Sequence, residues 1–236
     1  MIKTLLLLLN AAKLGKILMS SGTMLISVVA YAFVFGWWYA VGFVALIFVH
    51  EMGHYVAARQ RGLDVGLPTF IPFVGAWIQL KDMPHNAETE AYVGMAGPLA
   101  GTLGALACYY LARSTDSQLL LALAYSGFFL NLFNLIPLRP FDGGRISAVV
   151  SPKLWFVGVP VLIALFFYRP SPLLIVIALL AAPHIWSAIR GTEAENREYY
   201  LSSMETRVSY ATLYLGLAAF LAIMCHDLSE QLPRAF

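Results

Sequence analysis

Long apolar runs without charged residues fill most of this 236-residue chain, and short polar connectors separate them. A helix needs about 20 such residues to cross the hydrocarbon core of a bilayer. The pattern predicts an α-helical multi-pass membrane protein with about six to seven transmembrane helices, of which the fifth is the least complete. The predicted spans are Ile17–Phe35, Trp38–Ala58, Ala91–Leu111, Gln118–Ile136, Leu154–Tyr168, Leu173–Ile189 and Val208–Cys225.

The apolar segment Leu67–Leu80, between the second and third predicted spans, has a different character. It contains Pro68, Pro72 and Gly75 within 14 residues. Proline removes a backbone donor and interrupts a helix, so this segment is too short and too broken to span as a helix. We predict that it forms a short membrane-associated β-hairpin.

The composition supports a membrane protein and excludes an ordinary soluble globule. Hydrophobic residues make up 60% of the chain and charged residues 12%, whereas soluble proteins average about 45–50% and 25%. No polar stretch approaches the roughly 50 residues of a small soluble domain. We therefore predict one membrane-embedded domain over residues 1–236, with a core at 17–150 and C-terminal spans at 154–225. The net charge of +2 and the scattered basic residues argue against a nucleic-acid partner.

The basic residues predict the orientation, because cytoplasmic loops of membrane proteins carry an excess of Lys and Arg. Seven crossings from a cytoplasmic N-terminus leave only Arg113, Arg169 and Arg234, of 15 Lys and Arg residues, on the external side. We predict a cytoplasmic N-terminus and an external C-terminus. A prokaryotic-type plasma (inner) membrane, with contact to its lipid, is the expected location.

A metal-binding motif lies at the cytoplasmic end of the second predicted span. His50-Glu51-Met52-Gly53-His54 matches HExxH, in an otherwise apolar run where ionisable groups are expensive and usually functional. Residues four apart share one face of a helix, so both imidazoles can bind one ion while Glu51 reaches a water molecule beside it. The pattern indicates a zinc site with Glu51 as general base.

A third zinc ligand is required if one tetrahedral position is kept for water. Asp142 has the most favourable context, because it follows the fourth span at the same membrane face as His54. Prolines end that span, and Gly143-Gly144 predict a tight turn after the carboxylate. The other candidates are His85, His184, His226 and Asp82.

The two motifs together resemble the site-2 protease family of intramembrane zinc metalloproteases. The matching segments are HEMGH at His50–His54 and FNLIPLRPFDGGR at Phe133–Arg145, with GPLAG at Gly97–Gly101 and FIPFVGAWIQLK at Phe70–Lys81. From this sequence alone, the Gly97/Gly101 pair predicts close helix packing.

The resemblance implies a function and a role for each matching residue. His50, His54 and Asp142 would bind Zn²⁺, and Glu51 would be the catalytic base. Asn134 would help hold the substrate, and the segment around Gly75 would be a hairpin that receives it. The implied activity is hydrolysis of peptide bonds in or near transmembrane segments of a protein or peptide substrate, close to the cytoplasmic face. No PDZ or CBS domain is expected.

The same ligands also fit two other functions. A divalent-metal transporter would use them for passage, but it has no evident need for Glu51 and would require ionisable residues in both halves of the membrane. A catalytically inactive membrane binding protein would not require the complete ligand set.

Overall fold

The computed structural model describes residues 2–78, 84–190 and 198–232, with side chains from residue 15 onwards. In these ranges the chain forms eight α-helices and one two-stranded sheet. The elements are α1 (Ile2–Phe35), α2 (Trp37–Gln60), β1 (Thr69–Ile71), β2 (Gly75–Trp77), α3 (Ala87–Thr115), α4 (Gln118–Asn134), α5 (Asp142–Val150), α6 (Trp155–Tyr168), α7 (Pro172–Arg190) and α8 (Met204–Gln231). This confirms a helical fold with one hairpin between the second and third helices.

Five of these helices are long and apolar enough to cross a membrane: α1 from Gly15 onwards, α2, α3, α7 and α8. The apolar helices α4 and α6 have 17 and 14 residues, which is less than the usual length of a spanning helix. The total of six to seven spans therefore stays a prediction.

Polar side chains cap the first turns of α3, α4 and α8. The helix α3 begins at Ala87 rather than at the predicted Ala91, and the Asn86 side chain accepts a hydrogen bond from its first turn. Ser117 and Ser203 cap α4 and α8 in the same way. Each cap satisfies a backbone N–H that has no partner within the helix.

The helices α2 and α3 form the centre of the molecule. In the most apolar stretch of each helix, 44% of the residues of α2 and 50% of those of α3 are buried, against 6% in α8. Small residues bring the two helices together: Gly53 of α2 lies against Ala96 and Ala100 of α3. Close approach of this kind is typical of helices packed within a bilayer. The helix α3 also packs against α4 and α5.

The hairpin lies beside this helical core and is attached to α1. Its strands pair antiparallel, with Phe70 opposite Ala76 and a turn at residues 72–74. Ser20 of α1 donates a hydrogen bond to the Pro68 carbonyl oxygen at 2.6 Å, and Thr23 Oγ1 accepts one from the Phe70 N–H at 3.2 Å. The predicted hairpin is confirmed, although Leu80 lies outside the described residues.

The tight turn predicted after Asp142 is wrong. Asp142 is instead the first residue of α5, and both following glycines lie in the first turn of that helix. A side chain on Gly143 would overlap the Leu135 carbonyl group, and one on Gly144 would overlap the backbone of Leu138. The glycines therefore serve to pack the start of α5 against the preceding loop.

Candidate metal centre

His50 and His54 lie one helical turn apart on the buried face of α2. Their side chains are only 4% and 8% exposed. The two Nε2 atoms are 3.1 Å apart. The four-residue spacing therefore directs both imidazoles to one point, as the motif predicted.

Asp142 reaches the same point from α5. Its Oδ2 atom lies 3.2 Å from Nε2 of His50 and 3.2 Å from Nε2 of His54. Burial by itself would raise the pKa of Asp142, but the two imidazoles lower the pKa below its ordinary value. The carboxylate is therefore an anionic donor. The structure thus brings together the three residues that the sequence proposed as ligands.

Backbone and amide groups fix the orientation of both imidazoles. Nδ1 of His50 donates to Oδ1 of Asn131 at 2.8 Å, and Nδ1 of His54 donates to the Val93 carbonyl oxygen at 2.7 Å. A proton on Nδ1 leaves the lone pair of Nε2 free for a metal. Such partners commonly orient histidine ligands.

The donor geometry fits zinc. Ligand atoms bound to tetrahedral zinc at about 2.0–2.1 Å lie about 3.3 Å from one another. The three donor atoms here are separated by 3.1–3.2 Å. Two neutral imidazoles and one carboxylate are also a donor set that zinc accepts, with a fourth position open. His50, His54 and Asp142 would therefore hold the ion.

Glu51 is buried next to His50 and lines the same cavity as the three donors. Its carboxylate is close enough to interact electrostatically with His50, His54 and Asp142. It is not one of the three grouped donor side chains. This position suits a group that acts beside the metal rather than on it.

The cavity has a volume of about 470 Å³ and lies between α2, the hairpin, α4, α5 and α7. Asn134 and Gly75 both line it, together with Phe133 and the hairpin residues 74–78. The Asn134 amide donates to the Leu130 carbonyl oxygen at 3.0 Å. Gly75 has φ of 127°, a conformation that favours glycine. Both residues therefore lie in the wall of the cavity that contains the three donor atoms.

The other candidate ligands that the structure describes, His85, His184 and His226, do not join the cluster. Among the described residues, His50, His54 and Asp142 form the single group with metal-binding geometry. His184 lines the cavity beside the Trp155 ring. His85 is exposed, as is His226, which pairs with Glu230 at 3.7 Å. Asp82 lies outside the described residues.

Sequence reasoning missed the residues that support the ligands. Asn131 is 1% exposed in an apolar helix, and a lone amide in such a run is a signal that could have identified it. Gly97 and Gly101 confirm the predicted close packing, but the groups they contact belong to the site. Gly97 lies against the His54 imidazole, and Gly101 lies against the Asn131 amide.

Gly97→Ala is expected to weaken zinc binding by at least about tenfold, as loss of a support for a ligand does. A methyl group at Gly97 would overlap the His54 ring and displace it. The measurement is zinc affinity by competition with a chelator. Gly216→Ala is the matched control, because no described atom lies within 4 Å of a methyl group there. Equal zinc affinity in both variants would contradict the expected displacement.

The buried His-His-Asp centre and the adjacent glutamate, among apolar helices, are typical of zincin-type metalloproteins. The comparisons with known proteins agree. The model of peptidase family M50 matches residues 38–116, which include both histidines and Glu51. This match and the curated relatives confirm the resemblance to the site-2 proteases over the region they cover.

The relatives are named as zinc metalloproteases. One from Methanocaldococcus jannaschii is 30% identical over 128 residues, which is 50% of this chain and 37% of the relative. Rip3 of Mycobacterium tuberculosis, provisionally named a zinc metalloprotease, is 33% identical over 124 residues, or 49% of this chain and 30% of Rip3. The chain thus spans about a third of the length of the curated relatives it matches. Their names and the donor set agree on zinc as the metal.

Proposed function

We propose that this chain is the single-domain catalytic body of an intramembrane zinc metalloprotease of the site-2 type. It would hydrolyse peptide bonds in or near transmembrane segments of membrane proteins. The observation that carries the proposal is the convergence of His50, His54 and Asp142 donor atoms within 3.1–3.2 Å, with Glu51 beside them in a cavity among apolar helices.

Each residue of the centre has a distinct role in this proposal. Zinc held by His50, His54 and Asp142 would supply Lewis-acid polarisation of the scissile carbonyl group and would acidify water. Glu51 would accept the proton of the attacking water and then transfer it to the amine that leaves. Asn131 and the Val93 carbonyl group would keep the imidazoles oriented throughout.

The free edge of β2 would bind the substrate backbone. A transmembrane helix hides its carbonyl groups in its own hydrogen bonds, so the cleaved segment must be unwound. The Phe70 N–H points to Thr23 of α1, away from β2. Its partner Ala76 therefore directs its own N–H and C=O away from β1, towards an edge where a strand can add. Gly75 and Asn134 would contact this strand from either side.

Ala76→Pro is expected to reduce cleavage by about fivefold while leaving the fold intact. Proline removes the N–H that would pair with substrate, whose hydrogen bond contributes about 1 kcal/mol, but it breaks no bond between β1 and β2. The measurement is kcat/KM on a transmembrane substrate together with thermal unfolding. Ala76→Val keeps the N–H and is the control. Equal loss of cleavage and stability in Ala76→Pro would count against this docking edge.

The proposed orientation places the N-terminus in the cytoplasm and the site near the cytoplasmic face. Arg59 and Arg61 follow His54 within seven residues at the end of α2. Arg139 and Arg145 flank Asp142, so basic residues surround both ligand segments. The excess of basic residues at this end supports a cytoplasmic location, in a prokaryotic-type plasma membrane.

The test of the proposed function is cleavage of a model transmembrane substrate by the purified, detergent-solubilised protein. We expect cleavage that a chelator abolishes and zinc restores, at a bond near the cytoplasmic end of the substrate segment. Metal flux into proteoliposomes without any cleavage would instead support a transporter.

A further inference from the structure

The side chain of Arg139 links the loop before Asp142 to α3. Arg139 stands three residues before Asp142, and its Nη2 donates to Oε2 of Glu90 at 2.6 Å. The two side chains are 20% and 10% exposed. A charge-assisted hydrogen bond at this distance is strong and directional. Burying an ion pair often gives little net stability, so a positional role is the better explanation for this one.

Tyr199, in the connector before α8, joins the same carboxylate. Its hydroxyl group donates to Oε2 of Glu90 at 2.8 Å, and its carbonyl oxygen accepts from the Ala87 N–H at 2.9 Å. Burial, followed by the negative charge of Glu90, raises the pKa of Tyr199. The hydroxyl group therefore stays protonated and remains a donor. The connector is in this way fixed to the first turn of α3.

Trp155 completes the contact with α5. The Arg139 guanidinium lies over the Trp155 ring at 5.2 Å from its centroid. The Trp155 Nε1–H donates to the Gly144 carbonyl oxygen at 2.8 Å. Trp155 therefore contacts both Arg139, which precedes Asp142 in the chain, and Gly144, which follows it.

The helix α3 supports two ligands by different routes. Glu90 and Val93 lie one turn apart on α3. The Val93 carbonyl group holds His54 directly, whereas Glu90 holds the Asp142 segment through Arg139. We propose that Glu90, Arg139 and Tyr199 are positioning residues that set the distance between Asp142 and the two histidines. The effect on cleavage rests on the proposed function, but the effect on metal binding does not.

The experiment measures metal binding in Arg139→Gln, Glu90→Gln and Tyr199→Phe. We expect the zinc dissociation constant to rise about 10- to 100-fold in Arg139→Gln and Glu90→Gln, as for other residues that support a ligand. Tyr199→Phe loses one hydrogen bond, and we expect a rise of about threefold to tenfold. The absorption spectrum of the Co²⁺-substituted protein should shift as well, because it reports the coordination geometry.

Further variants separate positioning from general stability. The double variant Glu90→Gln/Arg139→Gln should bind zinc no more weakly than the single variant that has the lower zinc affinity. Both changes break the same link, the one between Glu90 and Arg139. Arg139→Lys keeps a cation for Glu90 and should recover part of the affinity. If Arg139→Gln fails to fold, Glu90→Gln and Tyr199→Phe provide the test. Tyr92→Phe is the matched control, because the Tyr92 hydroxyl group donates to Gln60 at an exposed position.

The possible outcomes distinguish this proposal from the proposed function. Parent-like zinc affinity and an unchanged Co²⁺ spectrum in folded Arg139→Gln or Glu90→Gln and in Tyr199→Phe would overturn the positioning role. A parent protein that binds zinc but cleaves no substrate would overturn the protease, while shifted spectra in the variants would still support positioning.

Discussion

Glu51→Gln is expected to reduce cleavage by about 10²- to 10⁴-fold, the range attributed to a general acid–base residue. The amide has nearly the same shape as the carboxylate but cannot accept the proton of water. Zinc should remain bound, because the three donor atoms belong to other residues. The measurements are kcat on a model transmembrane substrate and the zinc content of the same preparation.

The control for this prediction is Glu205→Gln. Glu205 is exposed in the first turn of α8, so this variant makes the same chemical change away from the cavity. It should cleave as the parent does. A Glu51→Gln variant that retains at least a tenth of the parental kcat would exclude Glu51 as the base.

Asp142→Asn is expected to abolish both zinc retention and cleavage. The amide keeps the shape of the side chain but loses the negative charge that pairs with the metal. Replacement of a supporting residue weakens metal binding by about 10- to 100-fold, so loss of a direct ligand should exceed about 100-fold. Zinc affinity by chelator competition measures the first effect, and the transmembrane-substrate assay measures the second.

Asp116→Asn is the matched control, since Asp116 is an exposed residue at the end of α3. Its zinc affinity and cleavage should equal those of the parent. If Asp142→Asn retained zinc with parental affinity, a different third ligand would have to be sought, and His184 is a candidate that lines the cavity.

The contrast between Glu51→Gln and Asp142→Asn is itself informative. The first should separate cleavage from zinc binding, whereas the second should remove both. A transporter that used the same donors would lose flux in Asp142→Asn and would be unaffected by Glu51→Gln. The pair of variants therefore tests the assignment of roles as well as their importance.

The parts of the site that the sequence predicted depend on local spacing or on strong composition. His50 and His54 converge because residues four apart share a helical face. Asp142 is predicted because prolines end the fourth predicted span at the same predicted membrane face as His54. The hairpin was identified because Pro68 and Pro72 exclude a helix.

The remaining features depend on tertiary contacts. The backbone carbonyl group of Val93 supports His54. Every residue has such a group, so no sequence pattern could identify this one. The glycines after Asp142 fit either a turn or a closely packed helix, and only the position of Leu135 decides between them. The helix α4 ends at Asn134 rather than at the predicted Ile136, because the loop that leads to α5 already begins at Leu135.

The convergence of donors from distant parts of the chain gives zinc a structural consequence. His50 and Asp142 are 92 residues apart in sequence, so one ion would cross-link α2 and α5. Because the ion binds only when these helices are assembled, the folded state should gain stability as free zinc rises above its dissociation constant. Metal supply would then govern how long the protein survives in the membrane, as well as whether it is active.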